Sequence, residues 1–407
     1  MKNVRVSYQG TSVNGSIDLE GSKSLSNRLL ILQALSGKKG LIENLSPSND
    51  TRAMQAILNS EDATGDVGAA GTTMRFLTAY YACKPGEKVL TGSERMRKRP
   101  IGVLVEALRA LGAEIDYLEE DGFPPLKITG KQLEGGELSI RADVSSQYIS
   151  ALLMCAPLME QGLTLNLVGK VGSFPYIKMT LELMKSLGAE YKIDGNTIYV
   201  NPGNYHTADI VVEGDWSAAS YYFSIASLSR GSSIGINQLF AESLQGDSVL
   251  PEIYRQLGVE SYFENRQLLL KQNAEYTAKF EYDFTNCPDL AQTVVVTCAA
   301  LGIPARLTGL ESLRIKETDR TAALSNELSK FGVRFEQEGE AWVLSGKICE
   351  DSNVSIATYE DHRMAMCFAP LAVLQPLNIE EAEVVAKSYP SFWEDLSRIG
   401  FEVSEAS

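Results

Sequence analysis

Nine short strings in this 407-residue chain carry side chains able to grip anions or move protons. "GSKSLSNR" (21–28) sets Lys23, Ser24 and Arg28 at the mouth of an apolar helix, "LLILQAL". Ser24 and Arg28 are four apart and share a helix face. A helix start offers free N–H groups and a partial positive charge, so added cations there point to a bound anion. A plain cap from Ser22 or Ser24 with solvated cations is the alternative. In "GAAGTTMRF" (68–76), Gly71 opens a helix with Arg75 one turn on, and Gly allows close approach to backbone N–H groups, although a Gly/Thr cap explains it too. "RMRKRPIG" (95–102) places Arg95, Arg97, Lys98 and Arg99 before Pro100, a first-turn proline; such a run is either solvated or answered by an anion. "VSSQYIS" (144–150) sets Ser145, Ser146 and Gln147 at a helix start, neutral groups suited to a sugar-like ring or a phosphate. "GSFPYIK" (172–178) adds Ser173, whose Ser-Phe-Pro context also fits a cap.

The second half supplies groups that can move protons. "NCPDLAQ" (286–292) places Asp289 in the first turn of an apolar helix, where the dipole favours its ionised form. "RIKETDR" (314–320) has Lys316 and Arg320 four apart with Glu317 between, which is also the pattern of a salt-bridged helix surface. "EDHRMAM" (360–366) sets His362 and Arg363 before an apolar stretch, and "AKSYPSF" (386–392) puts Lys387 at a loop-to-helix junction. Two carboxyls in different surroundings can divide acid and base roles. Arg suits bidentate carboxylate and phosphate contacts, and Lys acts as a point charge. Because these clusters recur at equivalent places in both halves, they predict helix N-termini of two domains converging on one set of anions.

The rest of the composition narrows the function. A net charge of −15 argues against a general nucleic-acid or membrane-surface binder. No apolar run is long enough to cross a bilayer, and the strand-like start "MKNVRVSYQG" lacks a signal-peptide core. Six scattered cysteines without a CxxC pair read as reduced, cytoplasmic thiols with no metal framework, and two histidines leave little for a metal site. The GxxxxGK[ST] spacing of a nucleotide phosphate loop is absent around "GSKS".

The elements that must position these groups form a repeat. A surface helix ending in Gly, then a hairpin, recurs with marker residues Gly112, Gly188, Gly258, Gly332 and Gly400, roughly 70 residues apart. A more apolar helix precedes each, as in "SAASYYFSIASL" and "DLAQTVVVTCAAL", hydrophobic all round and suited to burial. Each unit reads strand, buried helix, strand, surface helix, hairpin. The first unit, residues about 14–66, lacks its hairpin. The prediction is an α/β protein of two similar domains, each of three βαβαββ units, with buried helices inside and sheets outside, resembling an inverted α/β barrel. The expected lobes are 14–213, and 1–13 with 214–407.

In order and in detail, "GSKSLSNR", "AAGTTMRFL", "RMRKRPIG", "SSQYISALLM", "RIKETDR", "EDHRMAM" and "AKSYPSFW" resemble the 5-enolpyruvylshikimate-3-phosphate synthase (3-phosphoshikimate 1-carboxyvinyltransferase) family across nearly the whole chain. The resemblance implies enolpyruvyl transfer from phosphoenolpyruvate to the 5-hydroxyl of shikimate-3-phosphate on the route to chorismate and the aromatic amino acids. It also implies no metal or organic cofactor, a cytoplasmic monomer and glyphosate-type inhibition. By motif, Lys23, Ser24, Arg28, Ser145, Ser146, Gln147, Ser173, Asp289 and Lys316 would hold shikimate-3-phosphate. Lys23, Gly71, Arg99, Gln147, Arg320, Arg363 and Lys387 would hold phosphoenolpyruvate. Asp289, Glu317 and Lys23 would serve catalysis, with Asp289 taking the hydroxyl proton and Glu317 exchanging a proton with the methylene carbon. A related transferase that acts on UDP-N-acetylglucosamine carries a reactive Cys in its Arg-Pro loop; "GSERMRKRPIG" has none.

Overall fold

The computed structural model describes residues 2–142, 145–169, 171–349 and 354–406. The chain divides into two compact units, Ser22–Val212 and Met1–Gly21 with Glu213–Ser407, each with its own apolar core. One complete repeat shows the plan. Strand Thr64–Asp66 leads into helix Gly71–Ala82, then strand Gly86–Thr91 parallel to the first, helix Gly102–Ala110, and the hairpin Glu114–Tyr117 with Leu126–Gly130. The last hairpin strand pairs antiparallel with Gly86–Thr91, so spatial order differs from chain order. The same plan holds for the repeats spanning Gly136–Val200 and Phe280–Ser345.

Hydropathy decides which helix goes where. Helix Trp216–Leu228 is buried along its whole length, and Ala291–Leu301 nearly so. Helix Arg320–Ser329 and helix Phe174–Ser186 bury one face and leave the other to solvent. All five marker glycines sit at positive φ, a backbone state that Gly adopts without Cβ strain, and this turns each surface helix into the strand that follows it.

Three repeats are completed by distant chain segments, and one of these segments corrects the expected lobes. Strand Asn14–Asp18 was expected in the first lobe. It pairs in parallel with Ser233–Asn237, from Asn14 opposite Ser233 to Asp18 opposite Asn237, and buries Ile17 there, so residues 14–21 fold with the C-terminal half. Strand Ile210–Val211 pairs in parallel with Ile42–Glu43 and supplies the first strand of the shortened first repeat. That sheet has two strands where the other five have four, among the described residues. The last repeat ends in the single strand Glu402–Glu405, and the N-terminal strand Val4–Ser7 fills the missing place between it and Leu377–Ile379.

Candidate active site

In the unit Ser22–Val212, Ser22 caps helix Lys23–Ser36 and Lys23 opens it. Lys23 Nζ lies 3.3 Å from Asp50 Oδ2, at the start of helix Asn49–Leu58. Arg28, one turn further on, is 2 % exposed. Its Nη1 donates to the Ser24 carbonyl at 2.9 Å, its Nε to Thr180 Oγ1 at 2.7 Å, and its Nη2 to Ser150 Oγ at 3.3 Å. Phe76 lies under the guanidinium, 5.3 Å to the ring centre. Every one of these partners is neutral. Burial therefore lowers the Arg28 pKa to about 10, with Tyr176 acting in the opposite direction. A buried cation that lacks a carboxylate among the described residues is a seat for an anion from outside.

Beside it, Ser145 caps helix Ser146–Cys155 by accepting from Gln147 N at 3.2 Å. The Gln147 side chain donates to Thr72 Oγ1 at 3.0 Å, tying this helix to the start of Gly71–Ala82. Tyr148 Oη reaches the Pro100 carbonyl at 2.6 Å and so anchors the loop that carries Arg99. A Cβ on Gly71 would stand 2.7 Å from Arg99 Nη1, so Gly at this position is what lets the guanidinium close on the helix start. The cap alternative for Ser173 does not hold. This residue has a left-handed backbone (φ 56°) and makes no side-chain cap, so its hydroxyl is not used by helix Phe174–Ser186.

In the other unit the expected groups form one charge cluster. Arg320, 2 % exposed, donates to Asp289 Oδ1 (3.1 Å), Glu317 Oε2 (2.9 Å) and Asp361 Oδ2 (2.7 Å). Arg363 Nη2 lies 3.0 Å from Asp289 Oδ2, and Lys387 Nζ lies 2.8 Å from Glu317 Oε1. Asp289 and Glu317 are thus each held between two cations, and Arg320 is common to both. Burial would lower the Arg320 pKa, but Asp361, Glu317 and Asp289 together outweigh it and hold it above its ordinary value. For Arg363 the same burial penalty is outweighed, first by Asp289 and then by Tyr221, Asp247 and Asp215. Burial also pushes the Tyr221 phenol up, and Arg363 Nη1 lies 3.5 Å from its Oη.

The helix-surface alternative for "RIKETDR" is overturned. Lys316 ends a short turn, Glu311–Ile315, and the helix begins only at Arg320, capped by Asp319. Asp289 sits in the turn Pro288–Leu290, immediately before helix Ala291–Leu301. His362 is 1 % exposed, with Nδ1 3.5 Å from Asp361 Oδ1. Sequence reasoning passed over Asp361, Thr180 and Ser150. Asp361 braces Arg320 and also caps helix His362–Phe368 by accepting from Arg363 N at 2.9 Å. Its one legible signal was its place before His-Arg. Thr180 and Ser150 read as small core residues.

The molecule is therefore an α/β protein of repeated βαβαββ units in which helix starts carry buried cations and a paired set of carboxylates. A family model described as EPSP synthase (3-phosphoshikimate 1-carboxyvinyltransferase) matches residues 7–64 and 55–396. The chain is 46% identical over 398 residues to a 3-phosphoshikimate 1-carboxyvinyltransferase of Bacteroides fragilis, covering 97% of each chain. It is 36% identical over 425 residues to the protein of that name from Aliivibrio salmonicida, covering 96% of this chain and 97% of that one. A solved EPSP synthase from Acinetobacter baumannii has the same fold, with TM-score 0.81 over 100% of both chains at 21% identity. The chain belongs to the EPSP synthase family.

Proposed function

We propose that this chain transfers the enolpyruvyl group of phosphoenolpyruvate to the 5-hydroxyl of shikimate-3-phosphate and releases phosphate. Family membership and full-length relatives that carry the transferase name support this reading. The single observation that carries the chemistry is Arg320, one buried guanidinium that holds both Asp289 and Glu317. Addition of an alcohol across the double bond of an enol phosphate needs a proton delivered to carbon and another removed from oxygen. In this reading Glu317 protonates the methylene carbon, the 5-oxygen bonds to C2, and Asp289 takes the hydroxyl proton. Elimination then reverses the carbon step: Glu317 recovers a proton from the methyl group as the C2–O bond to phosphate breaks.

Lys23, Ser24, Arg28, Ser145, Ser146, Gln147 and Ser173, with Asp289 and Lys316, take shikimate-3-phosphate. The neutral cradle of Arg28 supports this, because a phosphate there supplies the charge the protein withholds. Lys23, Gly71, Arg99, Gln147, Arg320, Arg363 and Lys387 take phosphoenolpyruvate. Fixed cations around developing charge stabilise the transition state without reorganisation. The enzyme works as a cytoplasmic monomer; among the described residues no helix is long and apolar enough to cross a membrane. The test is phosphate release from the two substrates together. Release with shikimate-3-phosphate and none with UDP-N-acetylglucosamine is the expected result, and absence of release with both would end the proposal.

A further inference from the structure

We propose that Arg75 is a further cation of the phosphate seat at the start of helix Gly71–Ala82, gripping the departing phosphate of phosphoenolpyruvate alongside Arg99. The inference rests on the functional reading above and adds a residue to it. Arg75 is 7 % exposed, yet its Nε and Nη1 have no hydrogen-bond partner among the described residues. Among the described residues its charge is met by the face of Tyr148, 5.5 Å to the ring centre, and Tyr148 is itself fixed by the Pro100 carbonyl. Its Nη1 lies 2.5 Å from the point where a Gly71 Cβ would stand, and Arg99 Nη1 lies 2.7 Å from that same point. Two guanidiniums therefore face one small space. The helix that begins there has no side-chain cap and no acidic residue in its first turn, so its N–H groups add to the same positive field. Like charges in a buried space repel, and a buried donor without a partner is costly. A phosphate dianion removes both penalties at once, and it gains charge as it leaves, which is when a third positive group matters most. Gly71 then has a second reason to be Gly: a Cβ would displace both arginines before it reached a ligand.

The test compares the full-length chain with Arg75→Gln and Arg75→Lys. Arg75→Gln should lower kcat/KM for phosphoenolpyruvate about 10–100-fold, the loss expected for a hydrogen bond to a charged group. The KM for shikimate-3-phosphate should stay within about twofold, and Arg75→Lys should recover part of the loss. Inorganic phosphate, followed by 31P line broadening with shikimate-3-phosphate saturating, should bind about tenfold or more weakly to Arg75→Gln. The anion-free thermal midpoint of Arg75→Gln should not fall, because repulsion has been removed. Unchanged phosphate binding in either variant, or equal losses for both substrates with a lowered midpoint, would overturn the assignment. If the native chain releases no phosphate from the substrate pair, the functional reading fails, and phosphate binding alone then judges Arg75. If Arg75→Gln does not fold, Arg75→Lys decides: native phosphate affinity with a native split of KM values refutes the role.

Discussion

Glu317 is held at both oxygens, by Arg320 and by Lys387, so its removal leaves those cations in place around the reacting carbon. Glu317→Gln keeps the shape and loses the exchangeable proton. We expect kcat to fall about 10²–10⁴-fold with an unchanged thermal midpoint; near-normal turnover would remove Glu317 from the carbon step. Arg28 is the opposite case, a residue whose value lies in being left without a charge partner. Its four acceptors are neutral, and burial penalises its charged form. Arg28→Met should therefore leave the ligand-free fold as stable as before or more so, by up to about 1–4 kcal/mol. The KM for shikimate-3-phosphate should rise at least tenfold, as for a lost charged hydrogen bond. Paired thermal melts and initial rates separate the two effects. The cations were legible in sequence because Lys and Arg at a helix start run against the helix dipole and so call for an anion. Their neutral supports, Thr180 and Ser150, were not legible, because a hydroxyl on a buried helix looks the same whether it packs or accepts.

At the scale of elements, helix starts are anchored by side-chain networks from the loops around them. Glu213, where the chain re-enters the second unit, accepts from Trp216 Nε1 (2.7 Å), Phe240 N (2.9 Å), Ser243 Oγ (2.6 Å) and Gln245 Nε2 (2.8 Å). Burial raises its pKa above 4.5, and these four hydrogen bonds only partly oppose the shift. The folded chain thus holds this proton more tightly than the unfolded chain does. Glu213 favours the fold at acid pH, and that contribution is lost as pH rises through its raised pKa. Carboxyl 13C titration should place its midpoint above 4.5; a midpoint at or below that value refutes the sign. Glu213→Gln presents donors to donors and should lower stability by about 1–3 kcal/mol, read by urea unfolding. The alternation of apolar and amphipathic helices was visible in sequence, since hydropathy along one helix is a local property. The short turn Glu311–Ile315 was not visible, because "RIKETDR" keeps helical spacing whether or not it is helical.

For the whole molecule, the N-terminal strand belongs to the last repeat. Val4 and Val6 are fully buried there between Leu377–Ile379 and Glu402–Glu405. Deleting residues 2–8 should cost about 3–6 kcal/mol from the two valines alone, before the strand pairing is counted. The loss should fall on the unit that holds Asp289 and Glu317, so turnover and its unfolding midpoint should drop together. Retention of both would contradict the assigned strand order. By itself the sequence determined the repeat, its burial pattern, the family and the polar groups at the helix starts, because periodicity, Gly at positive φ and residue type act over a few neighbouring residues. Only the tertiary structure decided which strand completes which sheet, that Asn14–Asp18 folds with the C-terminal half while Ile210–Val211 completes the first repeat, and that Arg320 joins three carboxylates. Strand pairing and buried charge balance depend on segments tens to hundreds of residues apart, and no local pattern records which of several equivalent partners will be nearest.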